Sequence, residues 1–233
     1  MKKRLIILDF DGTILDSSPE GKRRLRVLCE INGISFNKEK QAKVYAEWGN
    51  PVIPMLVKGL GISEEKAKEI NRQWEVWDHV EPVRLMKGTR ETLAYIKRRK
   101  FDMVLFTSRH TKNVAEIINF HLIDDFFSCV VGIEGDAHGN LPAGEYRKKD
   151  PESFRGIVSY VAHTHDTTYD KLKVIYVGDT EIDVAQAMNA GLDVIAVMTG
   201  EKKEEDFLRI GVPSENILLS IKELPEWMKK FWK

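Results

Sequence analysis

Hydrophobic residues in this chain are grouped into short aliphatic runs, and longer stretches with a helical period separate them. Runs of four or five apolar residues bounded by polar residues are typical of strands that are buried on both faces. The predicted strands are Leu5–Leu8, Met103–Phe106, Phe127–Val131, Val174–Val177 and Val194–Val197. Between them apolar residues recur every three or four positions, which indicates amphipathic helices. This alternation predicts an α/β protein with a doubly wound parallel sheet.

A long segment between the first two predicted strands has a different pattern. Residues 16–86 lack aliphatic runs, and their apolar positions have helical spacing. We therefore predict a mostly helical inserted domain at 16–86, within a sheet domain formed by 1–15 and 87–233; a continuous single domain is the alternative. Trp74 and Trp77 are expected to pack inside the insert, as aromatic residues usually do.

Composition and charge narrow the range of partners. The 233 residues carry 36 Lys and Arg against 36 Asp and Glu, and this balance favours neither a nucleic-acid partner nor an anionic membrane. No apolar stretch approaches the roughly 18 residues needed to span a bilayer, so a cytoplasmic protein is expected. Cys29 and Cys129 are predicted to be free, buried thiols.

Two carboxylates directly follow the first predicted strand. Asp9 and Asp11 are separated by Phe10, so their side chains can converge on one site while Phe10 points into the packing. The carboxyl ends of parallel strands form the ligand crevice of such sheets, and Gly12 permits a tight turn there. Taken alone, however, an Asp-x-Asp pair is more often a turn or a helix cap.

A second acidic pair follows the fourth predicted strand and changes that balance. Asp179 ends the strand, and Asp183 lies four residues later in the first turn of the next helix, so both can face the same crevice. Clustered carboxylates are costly without a cation, because like charges raise one another's pKa. Hard oxygen ligands suit Mg²⁺, which also screens an anionic nucleophile from an anionic phosphate.

Two further residue types fit phosphate chemistry. Thr107 ends the second strand, where a hydroxyl and neighbouring backbone N–H groups can hold phosphate oxygens, although a helix cap is its commoner role. Lys148 or Lys149, before a predicted helix, could supply a point charge. Taken alone, either would be an exposed lysine.

Four segments together resemble the motifs of the haloacid dehalogenase superfamily, in the same order along the chain. They are DFDGTILDS at 9–17, FTS at 106–108, KKDP at 148–151 and GDTEID at 178–183. The resemblance covers the core from residue 5 to about 197 and implies a Rossmann-like sheet. The helical segment 16–86 resembles the cap of the phosphoglycolate phosphatase-like subgroup, which implies a domain that closes over the site and selects the substrate.

The resemblance implies a role for each residue that matches a motif. Asp9 is expected to be the nucleophile that becomes an aspartyl-phosphate, and Asp11 the general acid and then the general base. Thr107 and Ser108 are expected to bind the phosphoryl group, and Lys148 to stabilise its charge. One departure matters: the family's proline after the lysine is Lys149 here. Lys148 is therefore assigned by its distance from Pro151, and Lys149 stays an alternative.

The expected metal set combines both acidic pairs. The resemblance implies that Asp9, Asp179 and the backbone carbonyl of Asp11 hold Mg²⁺, with Asp183 as a further ligand or a support. In the cap, the loop containing Gly49 and Asn50 resembles a substrate loop of phosphoglycolate phosphatase-like proteins, so these two residues are expected to line the pocket.

The resulting prediction is a Mg²⁺-dependent phosphatase for a small phosphorylated metabolite. A dehalogenase is disfavoured because it usually lacks the second aspartate, here Asp11. A hexose-phosphate mutase or a phosphonate hydrolase on the same scaffold stays open, although no cap lysine stands out. A phospho-acceptor signalling module is a non-enzymatic alternative, but it would be shorter and would carry its aspartate on a middle strand. A silent binding protein is disfavoured by the intact set of motif residues.

Overall fold

A seven-stranded sheet is the central element of the computed structural model of this chain, which describes residues 4–48, 51–141, 144–166 and 173–232. Its strands are β1 (Arg4–Leu8), β2 (Asp102–Phe106), β3 (Cys129–Gly132), β4 (Gly135–Asp136), β5 (Lys173–Gly178), β6 (Asp193–Val197) and β7 (Ile217–Leu218). Across the sheet they follow the order β4-β3-β2-β1-β5-β6-β7. Neighbouring strands are parallel except for the β3–β4 pair. The predicted doubly wound α/β sheet is confirmed.

Helices cover the sheet and explain why its strands are so apolar. In this part of the chain they are α5 (Thr89–Arg98), α6 (Thr111–Phe120), α7 (Pro151–Thr164), α8 (Glu181–Asn189), α9 (Glu204–Arg209) and α10 (Leu224–Phe231). All four side chains of Leu5–Leu8 on β1 are fully buried, as the unbroken aliphatic run predicts. Burying each stabilises the fold by about 1.5–3 kcal/mol.

The third predicted strand differs from the observed one at both ends. The prediction was Phe127–Val131, whereas β3 spans Cys129–Gly132. Phe127 closes a short 3₁₀ turn, because its N–H donates to the carbonyl of Asp124 with an N–O distance of 3.0 Å, which is typical of such hydrogen bonds. The apolar side chain of Phe127 therefore packs from a turn and not from the ladder.

The inserted segment forms a second compact unit, Ser17–Val83. Its helices are α1 (Ser17–Ile31), α2 (Lys38–Ala46), α3 (Val52–Leu60) and α4 (Glu64–Val80). Asn37 and Ser63 cap α2 and α4, since each side chain accepts a hydrogen bond from a backbone N–H three residues on. The unit has its own apolar core, against which Trp74 and Trp77 pack. The predicted helical insert is thus observed.

The limits of the helical unit fall slightly inside the predicted limits of 16 and 86. The other unit is Met1–Asp16 with Arg84–Lys233. The chain leaving β1 and the chain returning from the insert are paired by backbone hydrogen bonds, from Asp16 N to Arg84 O (2.9 Å) and from Met86 N to Ile14 O (2.7 Å). These bonds attach both connecting segments to the sheet unit.

Two remaining sequence predictions concern the thiols and the membrane. Cys29 and Cys129 are free and buried, as predicted. Within the described residues, every helix is too short or too polar to cross a bilayer.

Candidate active site

Asp9 lies at the carboxyl end of the central strand β1 and is almost fully buried. Its N–H continues the sheet ladder by donating to Val177 O at 2.9 Å. Its Oδ1 accepts a hydrogen bond of 2.6 Å from the N–H of Phe10, whose ring is fully buried in the packing. Burial raises the pKa of Asp9 from 3.8 to about 6, although the nearby Lys148 acts in the opposite direction.

Lys148 reaches Asp9 from the loop that precedes α7. Its buried Nζ donates to Asp9 Oδ1 and to Asp183 Oδ2, both at 2.6 Å. Burial acts to lower the pKa of Lys148, but the two carboxylates outweigh it and raise this pKa well above the usual value. The ammonium group therefore stays charged beside Asp9. Lys149, the alternative, is exposed.

Asp179 follows β5 and lies against Asp9. The two carboxyl groups share a hydrogen bond, and burial, followed by the negative charge of Asp9, raises the pKa of Asp179 well above its usual range. Two glycines make room for it: a Cβ added to Gly12 or to Gly200 would lie 2.1 or 2.0 Å from Asp179 Oδ2. Gly12 also has a φ of +72°, which few other residues adopt without strain.

Asp183 belongs to the same edge of the sheet, through helix α8. Thr180 caps this helix by accepting a hydrogen bond from the N–H of Asp183. The side chain of Asp183, which is 13% exposed, turns towards Lys148. The Lys148 ammonium group thus links the carboxylates that follow β1 and β5.

Asp11 carries a partner that the sequence did not indicate. Nε and Nη2 of Arg109 donate to Oδ2 and Oδ1 of Asp11, both at 2.8 Å. Arg109 is two residues beyond Thr107, and its N–H donates to Thr107 Oγ1 at 3.3 Å. Thr107 is buried at the end of β2, where its N–H donates to Val131 O, while the neighbouring Ser108 is exposed.

Comparison with known families assigns the chain to a family. The model of the haloacid dehalogenase-like hydrolase family matches residues 6–197. This chain belongs to the haloacid dehalogenase-like hydrolase family. The matched segment runs from β1 to β6 and contains all four predicted motifs. The predicted family, and with it the prediction of a hydrolytic enzyme, is confirmed.

Curated relatives and solved structures that are similar to this chain agree with the family assignment. A phosphoglycolate phosphatase from Vibrio cholerae is 27% identical over 198 residues, which are 81% of this chain and 81% of that protein. A solved structure of a predicted phosphatase from Clostridium acetobutylicum superposes with a TM-score of 0.73 at 20% identity, covering 99% of this chain and all of that one. A candidate β-phosphoglucomutase from Thermotoga maritima reaches 0.71 at 20% identity, over 98% of this chain and 99% of that chain. At these identities, the two structures show a shared fold.

The predicted metal ligands of this hydrolase are arranged as pairs. Among the described residues, no three His, Cys, Asp or Glu side chains form a ready-made metal cluster. Lys148 is bonded to both Asp9 and Asp183, and Arg109 is bonded to Asp11. Asp9 and Asp179 are the adjacent carboxyl pair, because their side chains share a hydrogen bond. Two buried carboxyl groups with raised pKa values suit a hard divalent cation that takes few protein ligands. The donor chemistry therefore fits Mg²⁺.

Two predicted site residues are not described by the structure, and three residues near the site were not predicted from the sequence. Gly49 and Asn50, the predicted cap residues, lie outside the described residues. Sequence reasoning missed Arg109, Thr199 and Gly200. The Thr199 hydroxyl donates to the carbonyl of Gly12 and so ties the segment after β6 to the Asp-x-Asp turn. The position of these residues just after strand ends was the one available signal.

Proposed function

We propose that this hydrolase is a Mg²⁺-dependent phosphatase that cleaves small phosphate monoesters, with 2-phosphoglycolate as the first substrate to test. The observation that carries the proposal is the buried contact of Asp9 with Lys148 and Asp179 at the end of the central strand. A buried carboxylate and a phosphate group repel each other, so the carboxylate can attack the phosphorus atom only where a nearby positive charge offsets the negative charges. The phosphoglycolate phosphatases among the relatives supply the choice of substrate.

In the proposed reaction, an oxygen of Asp9 attacks the phosphorus atom and the bond from phosphorus to the ester oxygen breaks. The leaving alkoxide takes a proton from Asp11, and an aspartyl-phosphate is left on Asp9. Asp11 then removes a proton from a water molecule, whose oxygen attacks the same phosphorus atom. Inorganic phosphate leaves and the Asp9 carboxylate is restored.

The other residues stabilise and orient the groups that react. Lys148 places a fixed positive charge beside Asp9 and beside the entering phosphoryl oxygens, in a site where burial strengthens electrostatic interactions. Thr107, with Ser108 next to it, is proposed to hold phosphoryl oxygens. Mg²⁺, when bound, would offset the charges of the nucleophile and the phosphate. Asp9, Asp179 and the Asp11 carbonyl are proposed to hold it, with Asp183 as a support.

Turnover of p-nitrophenyl phosphate tests the reaction class before any natural substrate is known. We expect phosphate release with Mg²⁺, its loss with EDTA, and its loss in Asp9→Asn. The matched control is Asp193→Asn, because Asp193 is exposed at the amino end of β6. Equal activity of Asp9→Asn and Asp193→Asn would refute the proposal.

A panel of phosphorylated metabolites then tests the substrate. We expect phosphate to be released from 2-phosphoglycolate with a higher kcat/KM than from hexose phosphates or nucleotides. Movement of the phosphoryl group between positions of a hexose, without net phosphate release, would instead support a mutase.

A further inference from the structure

The ion pair between Arg109 and Asp11 has no role in the proposed reaction as written above. Nε and Nη2 of Arg109 face the two oxygens of Asp11, each at 2.8 Å. This is the two-pronged geometry by which a guanidinium group recognises a carboxylate. A carboxylate with both oxygens engaged in this way is poorly placed to pass a proton to a leaving group. Some event must separate the pair before Asp11 can act.

The backbone around Arg109 is fixed, so that event can be a side-chain movement alone. The Arg109 N–H donates to Thr107 Oγ1 at 3.3 Å, and its carbonyl accepts the N–H of Ile133 at 3.0 Å. Two residues on, the N–H of Thr111 donates to Glu134 Oε2 at 2.8 Å. These bonds hold the loop after β2 to the end of β3 while the guanidinium group reaches towards Asp11.

The pair is also accessible to a small solute. The Arg109 side chain is 20% exposed and that of Asp11 is 38% exposed, in contrast to the buried Lys148. The backbone N–H of Arg109 is bonded to Thr107, the proposed phosphate ligand, and its guanidinium group is bonded to Asp11, the proposed proton donor. A guanidinium group in this place can meet a second anionic group of a substrate whose phosphate is bound at Thr107.

We propose that Arg109 is a specificity residue that exchanges the carboxylate of Asp11 for a carboxylate of the substrate. The inference rests on the proposed phosphatase function and narrows its substrate class to phosphate esters with a carboxylate close to the ester oxygen. In 2-phosphoglycolate a single carbon separates the two groups. A side chain that touches the acid serving the ester oxygen is therefore within reach of that carboxylate. An ester without the second charge provides no carboxylate for Arg109, so the ion pair between Arg109 and Asp11 stays intact.

A pair of substrates that differ only at the second charge tests this exchange. Ethyl phosphate has a methyl group in place of the carboxylate of 2-phosphoglycolate. The wild-type protein is expected to prefer 2-phosphoglycolate in kcat/KM. Arg109→Met is expected to lower kcat/KM for 2-phosphoglycolate by about 10- to 100-fold, the usual loss when one partner of a close charge pair is removed. For ethyl phosphate the same variant should leave kcat/KM unchanged or raise it, because Asp11 is no longer engaged by Arg109. The ratio between the two substrates therefore falls towards one.

Two further variants separate specificity from folding. Arg109→Lys keeps the charge and loses the planar fork, so it should retain part of the preference. Arg209→Met removes an arginine that is 69% exposed on α9 and should leave the ratio unchanged. Melting temperatures of all variants show whether they are folded. If Arg109→Met does not fold, an unchanged ratio in Arg109→Lys overturns the inference.

The outcomes distinguish this inference from the proposed function. An equal fall for both esters in Arg109→Met would show a structural role and overturn the exchange. Turnover of p-nitrophenyl phosphate by a wild-type protein that shows no preference for the carboxylate ester would overturn the exchange and leave the phosphatase standing. A wild-type protein that hydrolyses none of the three esters would refute the proposed function, and the exchange with it.

Discussion

Replacing Asp9, the proposed nucleophile, should make the metal-free protein more stable while it abolishes turnover. Asp9 is buried, and its pKa is raised from 3.8 to about 6, with burial as the largest cause. The folded state therefore binds the protonated form of Asp9 more readily than the unfolded state does. Its contribution to stability is complete below about pH 3.8 and is lost as the pH rises through about 6. At pH 7.5 the ionised carboxylate destabilises the fold.

The size of this effect follows from the two pKa values. The change from 3.8 to about 6 is about 2.2 pKa units, and at about 1.36 kcal/mol for each unit it corresponds to roughly 3 kcal/mol. Asn resembles the protonated form of Asp9 in shape and charge. We therefore expect Asp9→Asn to raise the free energy of unfolding at pH 7.5 by up to about 3 kcal/mol, and to change it little at pH 4.

Urea denaturation with EDTA, at pH 4 and at pH 7.5, measures both values. Mg²⁺ should shrink or reverse the difference at pH 7.5, because a cation that binds the native wild-type site stabilises it by mass action. A variant less stable than wild type at pH 7.5 in EDTA would refute the reasoning, since burial of Asp9 would then carry no electrostatic cost.

Three further predictions concern residues that support the site. Lys148→Met should lower kcat by about 100- to 1,000-fold, as loss of one electrostatic donor typically does. Lys149 is exposed, so Lys149→Met should change kcat little. Similar kinetics for both variants would contradict the assignment of Lys148 as the motif lysine. Gly200→Ala should lower kcat by about 100-fold, because its Cβ would lie 2.0 Å from an Asp179 oxygen and a misplacement of about 1 Å is that costly. Its control, Gly156→Ala on α7, where nothing lies within 4 Å of an added Cβ, should keep full activity and raise stability by about 0.5–1 kcal/mol. Tyr176→Phe should leave the melting temperature unchanged or raise it. The buried hydroxyl of Tyr176 has no hydrogen-bond partner among the described residues, and an unsatisfied buried group costs about 1–3 kcal/mol. A lower melting temperature would contradict this.

The sheet could be predicted because its strands are buried on both faces. A strand such as β1 needs an unbroken aliphatic run, and that run is visible in the sequence. Parallel strands bring their carboxyl ends to one edge, so the positions of Asp9, Thr107 and Asp179 after three such runs were enough to predict that all three follow strands at the same edge of the sheet. The two-residue strand β4 was missed because Gly135 and Asp136 carry no apolar pattern.

Residues in loops were harder to place. Arg109 is 98 positions from Asp11, and an arginine before a helix has no feature that marks it as a partner. The choice between Lys148 and Lys149 depended on which side chain turns inward, and the absence of the motif's proline removed the usual guide. Gly200 is needed because it lies close to Asp179. That closeness arises because β5 and β6 are neighbours in the sheet, which the sequence around Gly200 does not reveal.

The central claim is that Asp9 receives the phosphoryl group. Acid quenching of the protein during turnover of p-nitrophenyl phosphate, followed by borohydride reduction, converts an aspartyl-phosphate into homoserine. Mass spectrometry of the peptide that contains both Asp9 and Asp11 then locates it. We predict homoserine at position 9 and none in Asp9→Asn. Homoserine at position 11, or an unmodified peptide under conditions of full turnover, would contradict the claim.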